Sequence, residues 1–304
     1  MAKQVILIAM LAFILDLLAA LPLTMSTRAI SSDLLNQLSF FGQYAAAAYC
    51  PANNSPGSDP QITCDTDICP LVQQAEAQSI VEFENVGISD ATGFVSLDHT
   101  NKLIVVSFRG SRSVRNFIGN LNFVLAPWSI CSGCTAHLGF LDSWMSARSV
   151  VLEAVTSAKE SNPNYQVVST GHSLGGALAT LAAADLRESG HDVELYTYGS
   201  PMAGNSLLAL FITGQSSANF RVSHLQDVVP KLPGYAFGYA HISPEYWITS
   251  PSNAPVTEND IQVSTGVINF KGNSGTLGNS VEDHLWYFDS ISGCGGEGLE
   301  IFKV

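Results

Sequence analysis

Basic charge is what this sequence has least of. Its 304 residues carry 13 Lys and Arg against 26 Asp and Glu, a formal net charge of −13. No Lys/Arg cluster occurs anywhere along it. The electrostatic footprint that a nucleic acid or an anionic membrane requires is therefore missing. Internal repeats and low-complexity linkers are also lacking, which speaks for one globular unit rather than an array. Tetrahedral zinc sets are not present either. Only Cys131-Ser-Gly-Cys134 has ligand spacing, and no second pair stands at zinc-finger distance from it. Neither a metal nor a cofactor is expected, and no obligate protein partner.

Long apolar runs are confined to the start. Lys3 precedes an apolar stretch from Val5 to Leu15, followed by Asp16 and then Leu17-Leu-Ala-Ala20. That is short for a membrane span and fits a secretory signal over residues 1–21, with cleavage near Leu18-Ala19-Ala20. Residues 22–28 then form a short pro-segment, and 29–304 a single domain; a signal that stays attached as an anchor is the alternative. Without Lys3, Arg28 and Asp16 the remaining chain has 11 basic against 25 acidic residues, about −14 by formal count. All six cysteines lie beyond the signal, at 50, 64, 69, 131, 134 and 294. An even number in an exported chain implies disulfides, although several connectivities are formally open. Cys64 with Cys69 and Cys131 with Cys134 can close small loops, which leaves Cys50 and Cys294 as a long clamp. Export also argues against a cytosolic redox reading of the CxxC. Asn53-Asn-Ser55, in a Pro/Gly/Asn-rich loop, is a glycosylation acceptor.

The most informative stretch is Gly171-His172-Ser173-Leu174-Gly175. Before it, Tyr165–Thr170 is short, apolar and β-branched, so it reads as a buried strand. After it, Gly176–Ala184 is Ala/Leu-rich and unbroken until Ser189-Gly190, so it reads as a helix with a glycine stop. G-x-S-x-G between a strand and a helix is the nucleophile elbow. It presents a serine at a strained corner above free helix N–H groups, which favour an anion. The rest of the chain supplies a matching frame. Residues 33–50 are helical, Thr92–Leu97 and Lys102–Phe108 form a hairpin about 98–101, and a helix covers 141–160. Val193–Tyr198 is a strand, a short helix follows near 205–212, and Phe220–His224 is a further strand. Alternation after residue 140 implies parallel crossovers, with the hairpin as an antiparallel extension.

A serine hydroxyl becomes nucleophilic when a histidine takes its proton and a carboxylate holds that histidine. In this frame the chain order is Ser, then Asp or Glu, then His. Asp227, Glu245, Asp260 and Asp283 are the acidic candidates downstream, and His224, His241 and His284 the histidines. Asp227 follows a strand by three residues, where the loop reaches the rim of the sheet. His284 lies in a tail that a bond to Cys294 would fix. These two are the choices; His172 and His137 are read as packing or hydrogen-bonding residues.

Five ordered motifs point further. Gly171-His-Ser-Leu-Gly-Gly-Ala-Leu-Ala179, Tyr198-Gly-Ser-Pro201, Arg221-Val-Ser-His-Leu-Gln-Asp227-Val-Val-Pro230, Phe237-Gly-Tyr-Ala-His241 with Pro244-Glu-Tyr-Trp247, and His284-Leu-Trp-Tyr-Phe288 resemble the secreted filamentous-fungal class 3 triacylglycerol lipases. The Thermomyces and Rhizomucor type looks most similar, over residues 30 to 294. The resemblance implies an α/β-hydrolase fold with a mostly parallel sheet, flanking helices and a mobile lid. It implies Ser173, Asp227 and His284 as the triad, with Ser111 and the Leu174 N–H as the oxyanion hole. It also implies the disulfides Cys50–Cys294, Cys64–Cys69 and Cys131–Cys134. Val114, Phe117, Ile118 and Leu121 fall on one face of a two-turn helix that resembles the lid of these enzymes. The expected activity is hydrolysis of triacylglycerol esters at a lipid–water interface by an extracellular enzyme. A phospholipase, a mono- or diacylglycerol lipase and a feruloyl-type esterase are the alternatives on the same fold. A non-catalytic lipid-binding protein is a fourth, disfavoured by the intact triad signature.

Overall fold

A computed structural model describes residues 25–26, 29–55, 57, 59–86 and 91–295. The expected signal segment lies outside these residues, as does most of the expected pro-segment and the tail from residue 296 onward.

The framework is a nine-stranded sheet built from β1 (Met25–Ser26), β2 (Gln78–Val86), β3 (Ala91–Asp98), β4 (Leu103–Phe108), β5 (Gln166–His172), β6 (Val193–Tyr198), β7 (Asn219–His224), β8 (Glu245–Ile248) and β9 (Ile261–Ser264). Their spatial order is β1-β9-β8-β7-β6-β5-β4-β3-β2. The five central strands, β4 to β8, pair in parallel, while β2, β3, β9 and β1 extend the edges antiparallel. The expected hairpin is the β3–β4 pair, Asp98 opposite Leu103. Strands β8 and β9 were not anticipated, because Glu245-Tyr-Trp-Ile and Ile261-Gln-Val-Ser are too short to show periodicity.

The central strands read as continuous apolar runs because both faces are covered. Ile104, Val106, Phe108 and Val167 join one core, whereas Leu103, Val105 and Val168 join the other, the period-two alternation of a strand. The first core is closed by α3 (Leu138–Ser161) and α4 (Leu174–Glu188). The second is closed by α1 (Ser32–Ala47). Two more helices border the first core: α2 (Val114–Asn120) packs Phe117 against it, and α5 (Ser206–Gly214) buries Leu208 and Ile212 in it. Helix α3 buries Phe140, Leu141, Trp144, Ala147, Val151, Ala154, Val155 and Ala158 at three- and four-residue spacing. It begins three residues before the sequence suggests, because His137 caps it: Nδ1 accepts from the Phe140 N–H at 3.3 Å. Histidine is not a usual cap, so the pattern hid this start. The second nitrogen, Nε2, donates to the Asn122 carbonyl at 2.5 Å, in keeping with a hydrogen-bonding role for His137.

The three disulfides are Cys50–Cys294, Cys64–Cys69 and Cys131–Cys134. The glycosylation acceptor at Asn53 is overturned. Asn53 is 1% exposed, and the amide nitrogen to which a glycan would attach donates to the Ala47 and Thr63 carbonyls, both at 2.8 Å. A sequon records local spelling and not burial. Among the described residues no helix is long and apolar enough to cross a membrane.

Candidate active site

The register of the parallel strands puts Phe108 beside Gly171, His172 beside Tyr198, and Val222 beside Tyr198. The carboxyl ends of β4, β5, β6 and β7 therefore share one edge, where open α/β sheets place their sites. Ser111, Ser173, Leu174 and Asp227 leave from these ends or just beyond them, and His284 does not.

Ser173 occupies the turn from β5 into α4 with φ +57° and ψ −130°. A non-glycine residue held there stores about 1–3 kcal/mol of strain. The turn exists because its flanking glycines allow close approach. A Cβ on Gly175 would sit 2.1 Å from the Phe108 carbonyl oxygen, and one on Gly171 would sit 2.3 Å from that of Gly175. Leu174 is the first residue of α4, so its N–H has no carbonyl one turn back to bond.

Asp227 is fully buried beyond β7 and serves as a triple acceptor. Its Oδ2 accepts from His284 Nδ1 at 2.8 Å and from the Tyr287 hydroxyl at 2.5 Å, and Oδ1 accepts from the Val229 N–H at 2.8 Å. Asn273 Nδ2 holds the main-chain oxygen of Asp227 at 2.9 Å. Burial and the adjacent carboxylate push the Tyr287 hydroxyl well above its usual range, so it remains a donor. Because Nδ1 of His284 faces a carboxylate, it carries the proton, and Nε2 is left with a lone pair. Ser173 is next to this ring. Its N–H donates to the Tyr198 carbonyl at 2.9 Å, and a Cβ on the following Gly199 would lie 2.9 Å from His284 Nδ1. Ser173 Oγ and His284 Nε2 are both buried and neither has a hydrogen-bond partner in the protein. They are the two atoms that a serine triad joins.

Ser111 and Leu174 line one cleft of about 570 Å³ together with Phe117, Leu121 and Phe140. Helix α2 lies over it. Val114, Phe117, Ile118 and Leu121 are partly covered, while Arg115, Asn116, Gly119 and Asn120 are exposed. The Phe117 ring stacks on Phe140 with centroids 6.4 Å apart.

Comparison with known proteins agrees with this geometry. Residues 105–237 match the model of lipase (class 3), and residues 10–79 match the lipase 3 N-terminal region. The chain is 43% identical to the secreted mono- and diacylglycerol lipase A of Penicillium cyclopium over 94% of each. The chain belongs to the class 3 lipases. A solved mono- and diacylglycerol lipase from Aspergillus oryzae matches this lipase with a TM-score of 0.83 at 42% identity, over 87% of this chain and 99% of that one. A solved triacylglycerol lipase, described as having a catalytic centre formed by a serine protease triad, matches with a TM-score of 0.78 at 35% identity, over 88% and 99%. The fold of this lipase is accordingly the α/β-hydrolase fold.

Several groups around the site were not visible in the sequence. Asn273 and Tyr49 reach it from distant segments with no local pattern to mark them, and Tyr287, although inside the His284–Phe288 motif, was not recognised as a partner of Asp227. A buried ion pair beneath the site, Arg221 Nη1 to Glu245 Oε1 at 3.3 Å, also joins two strands whose side chains could not be paired by spacing. His172 and His241 are buried as well, and desolvation holds both well below the ordinary imidazole value of 6.5. Both therefore fold neutral, whereas the unfolded chain binds their protons below about pH 6.5. Stability from these rings is fully present above that pH and declines as pH falls toward the folded values. The slope is at most about 1.4 kcal/mol per pH unit for each ring. Thermal unfolding of this lipase between pH 7 and 5 should show a falling midpoint; a level midpoint contradicts the assignment.

Proposed function

We propose that this lipase, an exported enzyme in keeping with its disulfides, hydrolyses acylglycerol esters at a lipid–water surface through an acyl-enzyme. His284 Nε2 takes the proton from Ser173 Oγ as that oxygen bonds to the ester carbonyl carbon. The Leu174 N–H, with Ser111, faces the oxyanion that forms. His284 then passes the proton to the departing glyceride oxygen, leaving the acyl group on Ser173. Water, giving a proton to His284, then bonds to the acyl carbon. The bond to Ser173 Oγ breaks to release the fatty acid, and His284 returns the proton to Ser173 Oγ. Asp227 holds Nδ1 throughout and stabilises the transient imidazolium. The observation that supports this reading best is the 2.8 Å bond from His284 Nδ1 to Asp227, which leaves Nε2 buried and unpaired, as Ser173 Oγ also is.

Triacylglycerol is the substrate proposed first. A specific finding favours a second reading, mono- and diacylglycerol: the 43% identical Penicillium cyclopium relative is named for them. Emulsions of trioleoyl-, dioleoyl- and monooleoylglycerol, assayed beside phosphatidylcholine and methyl ferulate, separate the readings. Triacylglycerol should be cleaved faster than phospholipid and ferulate. Cleavage of only the two partial glycerides moves the enzyme to the second reading, and fast ferulate turnover with no glyceride cleavage overturns both.

A further inference from the structure

The residue before Ser173 is a histidine that the triad does not use. His172 ends β5, is fully buried, and has both ring nitrogens engaged. Nε2 lies 2.9 Å from the main-chain oxygen of His284, and Nδ1 lies 2.7 Å from the Tyr49 hydroxyl. A carbonyl oxygen only accepts, so the proton is on Nε2. The neutral ring then offers a lone pair at Nδ1, and the Tyr49 hydroxyl donates to it. The imidazoles of His172 and His284 lie 4.5 Å apart at 33°.

The His284 main chain is held by its own N–H to the Val281 carbonyl at 3.2 Å, by His224 Nδ1 at 2.9 Å from the adjacent Asp283 carbonyl, and by His172, which alone of these three comes from the elbow. It sits in a single 3₁₀ turn, Asp283–Leu285, outside the sheet ladder. Its ring orientation is set by Asp227, but the height of its backbone over the elbow depends on tertiary bonds. The His172 bond ties the base to the same elbow that carries Ser173. We propose that His172 is a positioning residue, whose Nε2–H anchors the His284 main chain so that Nε2 of His284 meets Ser173, with Tyr49 selecting the tautomer able to do so. The inference rests on the triad reading given above.

The surrounding charges are consistent with a neutral strut. Tyr49 from beyond α1, His284 and Tyr287 face the ring, Asp227 lies behind His284, and Arg109 acts on Tyr49. Burial pushes the Tyr49 hydroxyl above its usual range, which keeps its proton in place. Burial, and then the adjacent His284, lower the pKa of His172. A cationic His172 would oppose the imidazolium that forms on His284 during acylation, and a neutral one does not.

Three variants test this on a soluble short-chain p-nitrophenyl ester. His172→Leu removes the donor, and misplacing a base by about 1 Å costs about 100-fold, so kcat should fall by about that factor with KM within about twofold. His172→Gln keeps an N–H where Nε2 was and should recover about tenfold of the loss. Tyr49→Phe removes one hydroxyl and leaves both tautomers competing, lowering kcat by about three- to tenfold. It serves as the deciding variant if His172→Leu does not fold. The downfield proton on His284 Nδ1 in NMR spectra should shift in His172→Leu. Unchanged kcat in both His172→Leu and Tyr49→Phe overturns the proposal, as does a Gln variant no better than Leu. His284→Ala is assayed in parallel: substantial activity there removes the triad reading, whatever the His172 variants do.

Discussion

Ser173→Ala should lower ester hydrolysis by about 10⁴-fold or more while leaving the protein folded. Two observations separate these effects. Ser173 Oγ makes no hydrogen bond within the protein, so its removal breaks none. Alanine is also no more strained than serine at φ +57°. His284→Ala should be comparably severe, and the double variant little worse than either, because the two groups act as one unit. Asp227→Asn is expected to damage both activity and stability. It would set an amide N–H₂ against the donors that Oδ2 now receives from His284 and Tyr287. Rates on a soluble ester, with thermal unfolding as the check on folding, decide the matter. More than a tenth of the activity in folded Ser173→Ala would sink the triad.

The second large effect concerns α2. Of its half-covered residues Val114, Phe117, Ile118 and Leu121, Phe117 and Leu121 line the cleft that holds Ser111 and Leu174, together with Asn116 and Asn120. Fully exposing such a side chain costs about 1.5–3 kcal/mol, but these four are already partly exposed, so opening costs about 2–4 kcal/mol in all. A lipid surface that takes up this face removes the cost and raises the open population about 30- to 1,000-fold. Activity on a short-chain triglyceride should therefore climb steeply once the substrate exceeds its solubility. In the Phe117→Ser/Leu121→Ser variant the climb should shrink to within about threefold, since most of the apolar face is gone. A variant that keeps the full climb would show that α2 is an ordinary packed helix.

Much of the framework was legible because it is local. Two runs flanking the turn at 98–101 exposed β3 and β4, alanine content exposed α4, and G-x-S-x-G between strand and helix announced the elbow. Chain order and strand ends favoured Asp227 and His284 among several candidates, and it was the resemblance to the fungal lipases that implied them as a triad with Ser173. What remained hidden is what arises between distant segments. Tyr287 against Asp227, Tyr49 against His172 and Arg221 against Glu245 are contacts of the fold, and nothing in the spelling of either segment requires them. Asn53 is the reverse case, a motif that is locally correct and contradicted by burial. The cap of α3 by His137 was missed because the residue is an unusual one for that position.

The bond between Cys50 and Cys294 has a consequence for the order in which the enzyme is made. Synthesis runs from the amino terminus, so a chain that has emerged as far as Asp227 already holds Ser111, Ser173 and the proposed acid. It has no base, and Cys50 has no partner. His284 emerges near the end, and oxidation with Cys294 then ties its segment to the body beside α1. The proposed hydrolase is thus complete only once its last segment docks against the body of the protein.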